Sequence, residues 1–79
     1  MKNIIEGIVK ALVDDSDAVS IVETRGQKVN IIEINVSGAD ISKVIGKEGR
    51  IANSIRNIAK AIAGKNKEKV IVEIIDNSK

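Results

Sequence analysis

The chain has 79 residues, a formal net charge of +2, and no cysteine, histidine, phenylalanine, tyrosine or tryptophan. Those absences remove disulfides, thiolate nucleophiles, sulfur-ligated metals and imidazole acid–base chemistry together, so neither an enzyme nor a metal protein is expected. One domain is expected at this length, built on sixteen Ile, nine Val and one Leu, and a chain this short buries only about 60% of its unfolded surface.

No secretory leader opens the chain, and no apolar run approaches the ~20 residues that cross a bilayer, so a soluble, cytoplasmic protein with no membrane partner is expected. The charge is unevenly distributed. Residues 43–69 carry eight basic and two acidic side chains, a net +6, and the remainder is −4. Such asymmetry is the footprint of a polyanion-binding face, the plain alternative being a solvated lysine-rich surface.

Residues 3–13 read as a helix, with Ile4, Ile5, Ile8, Val9, Leu12 and Val13 on one half of a 3.6-residue wheel and Glu6, Gly7 and Lys10 on the other. Asn3 and Glu6 have the spacing of a capping box. Asp14-Asp15-Ser16-Asp17 ends the helix, because such side chains compete for backbone hydrogen bonds. This cluster lacks the spacing and the closing Glu of a calcium loop, so no metal is expected there. Residues 18–24 and 28–36 read as two strands, and Arg25-Gly26-Gln27 is short enough to make them an antiparallel hairpin. In the second strand Ile32, Ile34 and Val36 share one face, and Glu33 and Asn35 the other.

Ser37-Gly38-Ala39-Asp40 reads as a helix start, with Ser37 as cap and Asp40 supplying charge to the N-terminus. That helix runs through Ile41, Val44 and Ile45 and halts at Gly46. Another starts near Gly49 or Arg50. Its stripe is Ile51, Ile55, Ile58 and Ile62, flanked by Ala52, Ala59 and Ala63, with Arg50, Asn53, Ser54, Asn57 and Lys60 opposite and Arg56 at the margin. Gly64 is placed to end it as a left-handed cap. A polar loop then leads to a strand over Val70–Ile75. Residues 1–76 are expected to form one domain and residues 77–79 a flexible tail.

The order αββααβ defines an α+β fold. A two-helix crossover makes the second and third strands parallel if they are neighbours, giving a three-stranded mixed sheet covered on one face by three helices. The other face would expose some of Val29, Ile31, Ile71 and Ile75, as ordinary aliphatic surface or as a homodimer patch.

Gly46 and Gly49 carry the chemistry. Two glycines three apart are near chance in a chain with six, and a tight turn between helices is the plain reading. Context adds weight, because Val44-Ile45 closes one apolar helix, Arg50-Ile51 opens the next, and Lys47 lies between the glycines. Glycine removes the Cβ that would hold a sugar–phosphate backbone away. The helix starting there aims its unpaired N–H groups and positive dipole end at the same place. The loop is not of the Walker type, since Glu48 follows Lys47 and Ile41 stands where a glycine is needed. A DNA-binding helix-turn-helix over Ser37–Ala63 fits the flanking strands and the glycine pair less well.

Val44-Ile45-Gly46-Lys47-Glu48-Gly49-Arg50-Ile51 resembles the signature of KH domains, and αββααβ is the order of their type II, bacterial form. The resemblance covers the whole chain. Ile-Val-Lys-Ala-Leu-Val from Ile8 to Val13, and Gly-Arg-Ile-Ala followed by Ile55-Arg56, are similar to the small stand-alone KhpA family. The resemblance implies a single-stranded RNA-binding protein, an RNA chaperone or post-transcriptional regulator, without a cofactor. The loop would clamp about four nucleotides of backbone. The bases would lie in an aliphatic groove between the helix pair and the edge of the last strand, drawn from Ile41, Val44, Ile45, Ile51, Ile55 and Val70–Val72, with core and groove undivided.

The expected RNA-binding set is Lys43, Val44, Ile45, Gly46, Lys47, Glu48, Gly49, Arg50 and Asn53. The lack of aromatics argues against an RRM or OB-type stacking platform. Glu48 departs from the family pattern, in which basic or neutral residues are usual. A carboxylate there weakens phosphate binding unless it turns away or pairs with Lys47 or Arg50. Proteins of this family pair with KhpB, a larger protein with its own KH domain, and are linked to cell elongation and division, so a heterodimer is also implied. The alternative function is a protein-interaction or dimerisation module.

Overall fold

Alternation along Val29–Val36 organises the sheet. In the computed structural model, which describes residues 1–77, Asn30, Ile32, Ile34 and Val36 of this strand (β2) are buried, and Val29, Ile31, Glu33 and Asn35 are half-buried on the opposite face. β2 is the middle strand. It pairs antiparallel with β1 (Ser20–Arg25), Ile21 opposite Ile34, and parallel with β3 (Lys69–Asp76), Ile32 opposite Val72. The hairpin closes with the Gly26 N–H donating to the Val29 carbonyl at 2.9 Å. Parallel β2–β3 pairing follows from the crossover that joins them.

Three α-helices lie in the order expected: α1 (Lys2–Leu12), α2 (Ile41–Ile45) and α3 (Arg50–Lys65), with 3-10 turns at Ser16–Ala18, Gly38–Asp40 and Lys47–Gly49. Ile5 and Val9 of α1, Val44 of α2, and Ile55, Ala59 and Ala63 of α3 join the inward strand residues in one core. Burying each large aliphatic side chain contributes about 1.5–3 kcal/mol. The opposite sheet face is open, with Val22 43% and Ile71 48% exposed. No helix among the described residues is long and apolar enough to cross a membrane.

The first strand starts at Ser20 rather than at 18, because Ala18 closes the 3-10 turn Ser16–Ala18, and four larger differences from the sequence expectation follow. The first is the start of α1. Its cap position is Met1, and Asn3 lies inside the helix with no side-chain capping bond, because the backbone is already helical at Lys2. The second is the stripe of α3. The buried line is Ala52, Ile55, Ala59 and Ala63, Ile51 and Ile62 are half-buried, and Ile58 is 39% exposed. Small side chains let the helix axis approach the sheet, so the alanines and Ile55 face it and Ile51, Ile58 and Ile62 flank it.

The third is the end of α3, which runs past Gly64. Lys67 N–H donates to the Gly64 carbonyl at 3.0 Å and Glu68 N–H to the Ala63 carbonyl at 2.8 Å, and Lys67, at φ 60, holds the left-handed position of this Schellman motif. Gly64 stands three residues too early to fill it. A left-handed non-glycine residue costs about 1–2 kcal/mol, so Lys67→Gly is expected to raise stability by about 1 kcal/mol, as a shifted urea midpoint at constant slope.

The fourth is Asp40. It is 2% exposed and does not serve as a free charge at a helix end; Ser37 likewise makes no side-chain cap bond. Its carboxylate accepts the backbone N–H groups of Asp14 (3.3 Å) and Asp15 (3.1 Å) and the Lys43 ammonium (3.2 Å), and that ammonium also pairs with Asp14. The acidic cluster after α1 is thus tied to α2. The Asp15 N–H holds the Asp40 carboxyl below its ordinary value, burial works the other way, and the Asp14 N–H and Lys43 reinforce the lowering. A depressed carboxylate stabilises the fold above the unfolded value of about 3.9, and that contribution is lost as pH falls through the lower folded value. Asp40→Asn is therefore expected to flatten the acid limb of a stability-against-pH profile below about pH 4.

Asn77 follows β3 and donates its N–H to the Val36 carbonyl at 2.7 Å and its Nδ2 to the Ala18 carbonyl at 3.3 Å. Ser78 and Lys79, the rest of the tail expected over 77–79, lie outside the described residues.

Candidate nucleic-acid interface

The turn between α2 and α3 is built from backbone conformations that ordinary residues avoid. Gly46 sits at φ 76, ψ 176, a region essentially confined to glycine. A Cβ there would stand 2.6 Å from Cγ1 and 2.9 Å from Cβ and Cδ1 of Ile51. Gly49 is left-handed at φ 76, ψ 13, and a Cβ on it would meet nothing within 4 Å. Glu48 between them is also left-handed, at φ 57, ψ 24. The Gly46 N–H donates to the Ser42 carbonyl at 2.8 Å, and the Gly49 N–H to the Gly46 carbonyl at 3.2 Å. Three unusual conformations in four residues form a surface loop at the N-terminus of a 16-residue helix that has no side-chain cap and no acidic residue in its first turn.

The charges around the loop have different partners. Lys47 is exposed and has no ion-pair partner among the described residues. Glu48 pairs with Arg50 at 3.5 Å, both side chains well exposed. Such a pair is worth at most about 1 kcal/mol, so Arg50 is readily released to a stronger anion. Lys43 is committed to Asp14 and Asp40, and Asp14, first among the causes, raises its pKa. Asn53 accepts Arg56 Nη1 at 3.1 Å.

Beyond the loop, Arg56 and Lys60 of α3 face Val70, Ile71 and Val72 of β3 across a cleft of about 290 Å³. β3 is an edge strand, so one row of its backbone N–H and C=O groups is not used by the sheet. The groove candidates now divide. Val44 and Ile55 are core, Ile41 and Ile51 are half-buried, Ile45 and Ile71 are exposed, and Val70 and Val72 belong to the buried core while also lining the cleft.

The structure therefore brings Gly46, Lys47, Glu48, Gly49 and Arg50 together at the start of α3 and adds Arg56 and Lys60, further along the same helix, on the cleft against β3. Sequence reasoning left those two outside the site set, because it centred α3 on its isoleucines. Ala52, Ala59 and Ala63 carried the missing signal. Centring the wheel on them rotates Arg56 and Lys60, one turn apart, to the border of the buried face.

An αββααβ order with a Gly-x-x-Gly turn between its crossover helices, and a cleft between the second of those helices and an edge strand, defines a type II KH domain. The family model "KhpA/KhpB, KH domain" matches residues 2–74, and the chain belongs to that family. It is 52% identical over 75 residues to "RNA-binding protein KhpA" of Caldanaerobacter subterraneus subsp. tengcongensis, covering 95% of this chain and all of the relative. It is 48% identical over 75 residues to the protein of that name from Clostridium acetobutylicum, with the same coverage. The Aquifex aeolicus protein of that name is 43% identical over 76 residues, 96% of each chain. No solved structure matches the chain.

Proposed function

We propose that this protein binds single-stranded RNA, holding the phosphate backbone at Gly46–Gly49 and the bases along the cleft between α3 and β3. The observation that carries this reading is a glycine-shaped cationic loop at the N-terminus of α3, the same helix whose Arg56 and Lys60 line an aliphatic cleft against β3. Glycine at 46 and 49 keeps Cβ atoms away from the strand, Lys47 and Arg50 supply charge, and aliphatic cleft residues meet base faces without aromatic stacking. It acts as a binding module, an RNA chaperone or post-transcriptional regulator of the cytoplasm, with residues 1–76 as its one domain. A KhpB-type protein is the partner that the family suggests.

Fluorescence anisotropy with labelled octauridylate tests this. The logarithm of the affinity is expected to fall linearly with log salt, with a slope of about −2 for three neutralised phosphates on a single strand. Glu48→Gln frees Arg50 and removes a repulsive charge, so it is expected to bind about fivefold more tightly at low salt, the worth of an exposed ion pair.

The open sheet face, with Val22 and Ile71 exposed, favours a second reading as a dimerisation module. A flat salt titration together with a dimer in sedimentation would favour it over the first.

A further inference from the structure

The cleft beside Arg56 does not end at Lys60. A second cleft of about 360 Å³ shares Lys60, Val70 and Ile71 with it and adds Val29, Glu68 and Lys69. It passes around the free edge of β3, where Val29 and Lys69 are register partners at the start of the parallel pair. Val29, Val70 and Ile71 give it aliphatic walls, and neither Lys60 nor Lys69 has an ion-pair partner among the described residues.

Glu68 sets this second cleft apart. It is one of only two acidic residues in the +6 segment 43–69, and a surface that only tracked phosphates would be weakened by it. Its Oε2 accepts Asn30 Nδ2 at 2.7 Å, and no partner meets its other oxygen among the described residues. Asn30 is 3% exposed on a strand whose other inward residues are aliphatic, and its own Oδ1 has no partner among the described residues. Burying an incompletely bonded amide costs stability, and the contact this amide makes is the one that holds Glu68. The result is a carboxylate lining a cleft that also has aliphatic walls and two lysines, Lys60 and Lys69.

We propose that this second cleft is a further nucleobase site that selects guanine from the strand held at Gly46–Gly49. The proposal rests on the RNA-binding reading of the loop and first cleft. Guanine presents adjacent N1–H and N2–H donors, which suit a carboxylate that only accepts. Uracil flanks its one N–H with carbonyl oxygens that a carboxylate repels, and adenine places a ring acceptor beside its amino group. Lys60 and Lys69 meet the phosphates on either side.

The probes are labelled tetrauridylate, octauridylate, and octauridylates with one guanosine or one adenosine moved through each position. In the wild type, guanosine at one position is expected to raise affinity about tenfold over octauridylate, and adenosine there is not. Glu68→Gln, which retains an acceptor for Asn30, and Val29→Ser, which alters a wall of the second cleft alone, are each expected to abolish the gain and leave tetrauridylate binding unchanged. Folding is checked by urea midpoint. The site is overturned if octauridylate binds but no guanosine position gains more than twofold, if adenosine gains equally, or if the gain survives both variants. If neither wild-type tetramer nor octamer binds, the RNA-binding reading falls first and takes the site with it.

Discussion

Gly46→Ala is expected to lower folding stability by about 3 kcal/mol, and Gly49→Ala by about 1 kcal/mol. At Gly46 two costs add. The φ 76, ψ 176 conformation is closed to residues with a Cβ at about 1–3 kcal/mol, and the new methyl would stand 2.6 Å from Ile51 Cγ1. Ile51 opens α3 and packs against the core, so it has little freedom to give way. At Gly49 the conformation is an ordinary left-handed one and a Cβ meets open space, so only the dihedral cost of about 1–2 kcal/mol applies. Urea midpoints of the two variants check the ordering. Equal losses would mean that the Ile51 contact does not constrain the turn.

Replacing Lys47 and Glu48 together by Asp is expected to weaken RNA binding about thirtyfold or more, with the fold retained. Each charge-assisted contact to a phosphate is worth about 1.5–3 kcal/mol, and the double change removes the free ammonium while adding repulsion. The variant suits the backbone. Glu48 is left-handed at φ 57, and Asp occupies that region more readily than most residues. Both side chains are exposed, so nothing in the core is disturbed. Anisotropy at two salt concentrations, with circular dichroism to verify folding, checks this. Binding unchanged at equal folding would remove the loop from the mechanism.

The two experiments separate roles that meet in one turn. Gly46 acts on the shape of the loop through Ile51, and Lys47 acts on what the loop attracts. Lys43 illustrates why charge alone does not assign such roles. It lies three residues before Gly46, but its ammonium is held by Asp14 and Asp40 and ties the segment after α1 to α2.

The sequence by itself determined the element order, the hairpin, the loop, and the parallel direction of the second and third strands if they are neighbours; that they are neighbours came from the packed sheet. These follow from local signals: alternation on β2, a short turn after Arg25, and two glycines flanked by apolar helix ends. The loop was legible because its unusual backbone conformations demand glycine wherever the rest of the chain lies.

Only the tertiary structure decided the rest. The approach of α3 to the sheet selected Ala52, Ala59 and Ala63 over Ile58 as the buried line, which moved Arg56 and Lys60 onto the cleft. The route into β3 placed the left-handed residue at Lys67 rather than Gly64. Asp40 and Asn30 are buried with partners 25 and 38 residues away: the Asp15 N–H donates to the Asp40 carboxylate, and Glu68 accepts the Asn30 Nδ2. Periodicity reports which side of an element is apolar. How closely two elements approach, and which distant polar groups they bring together, are properties of the packed chain, and those properties shape the cleft between α3 and β3.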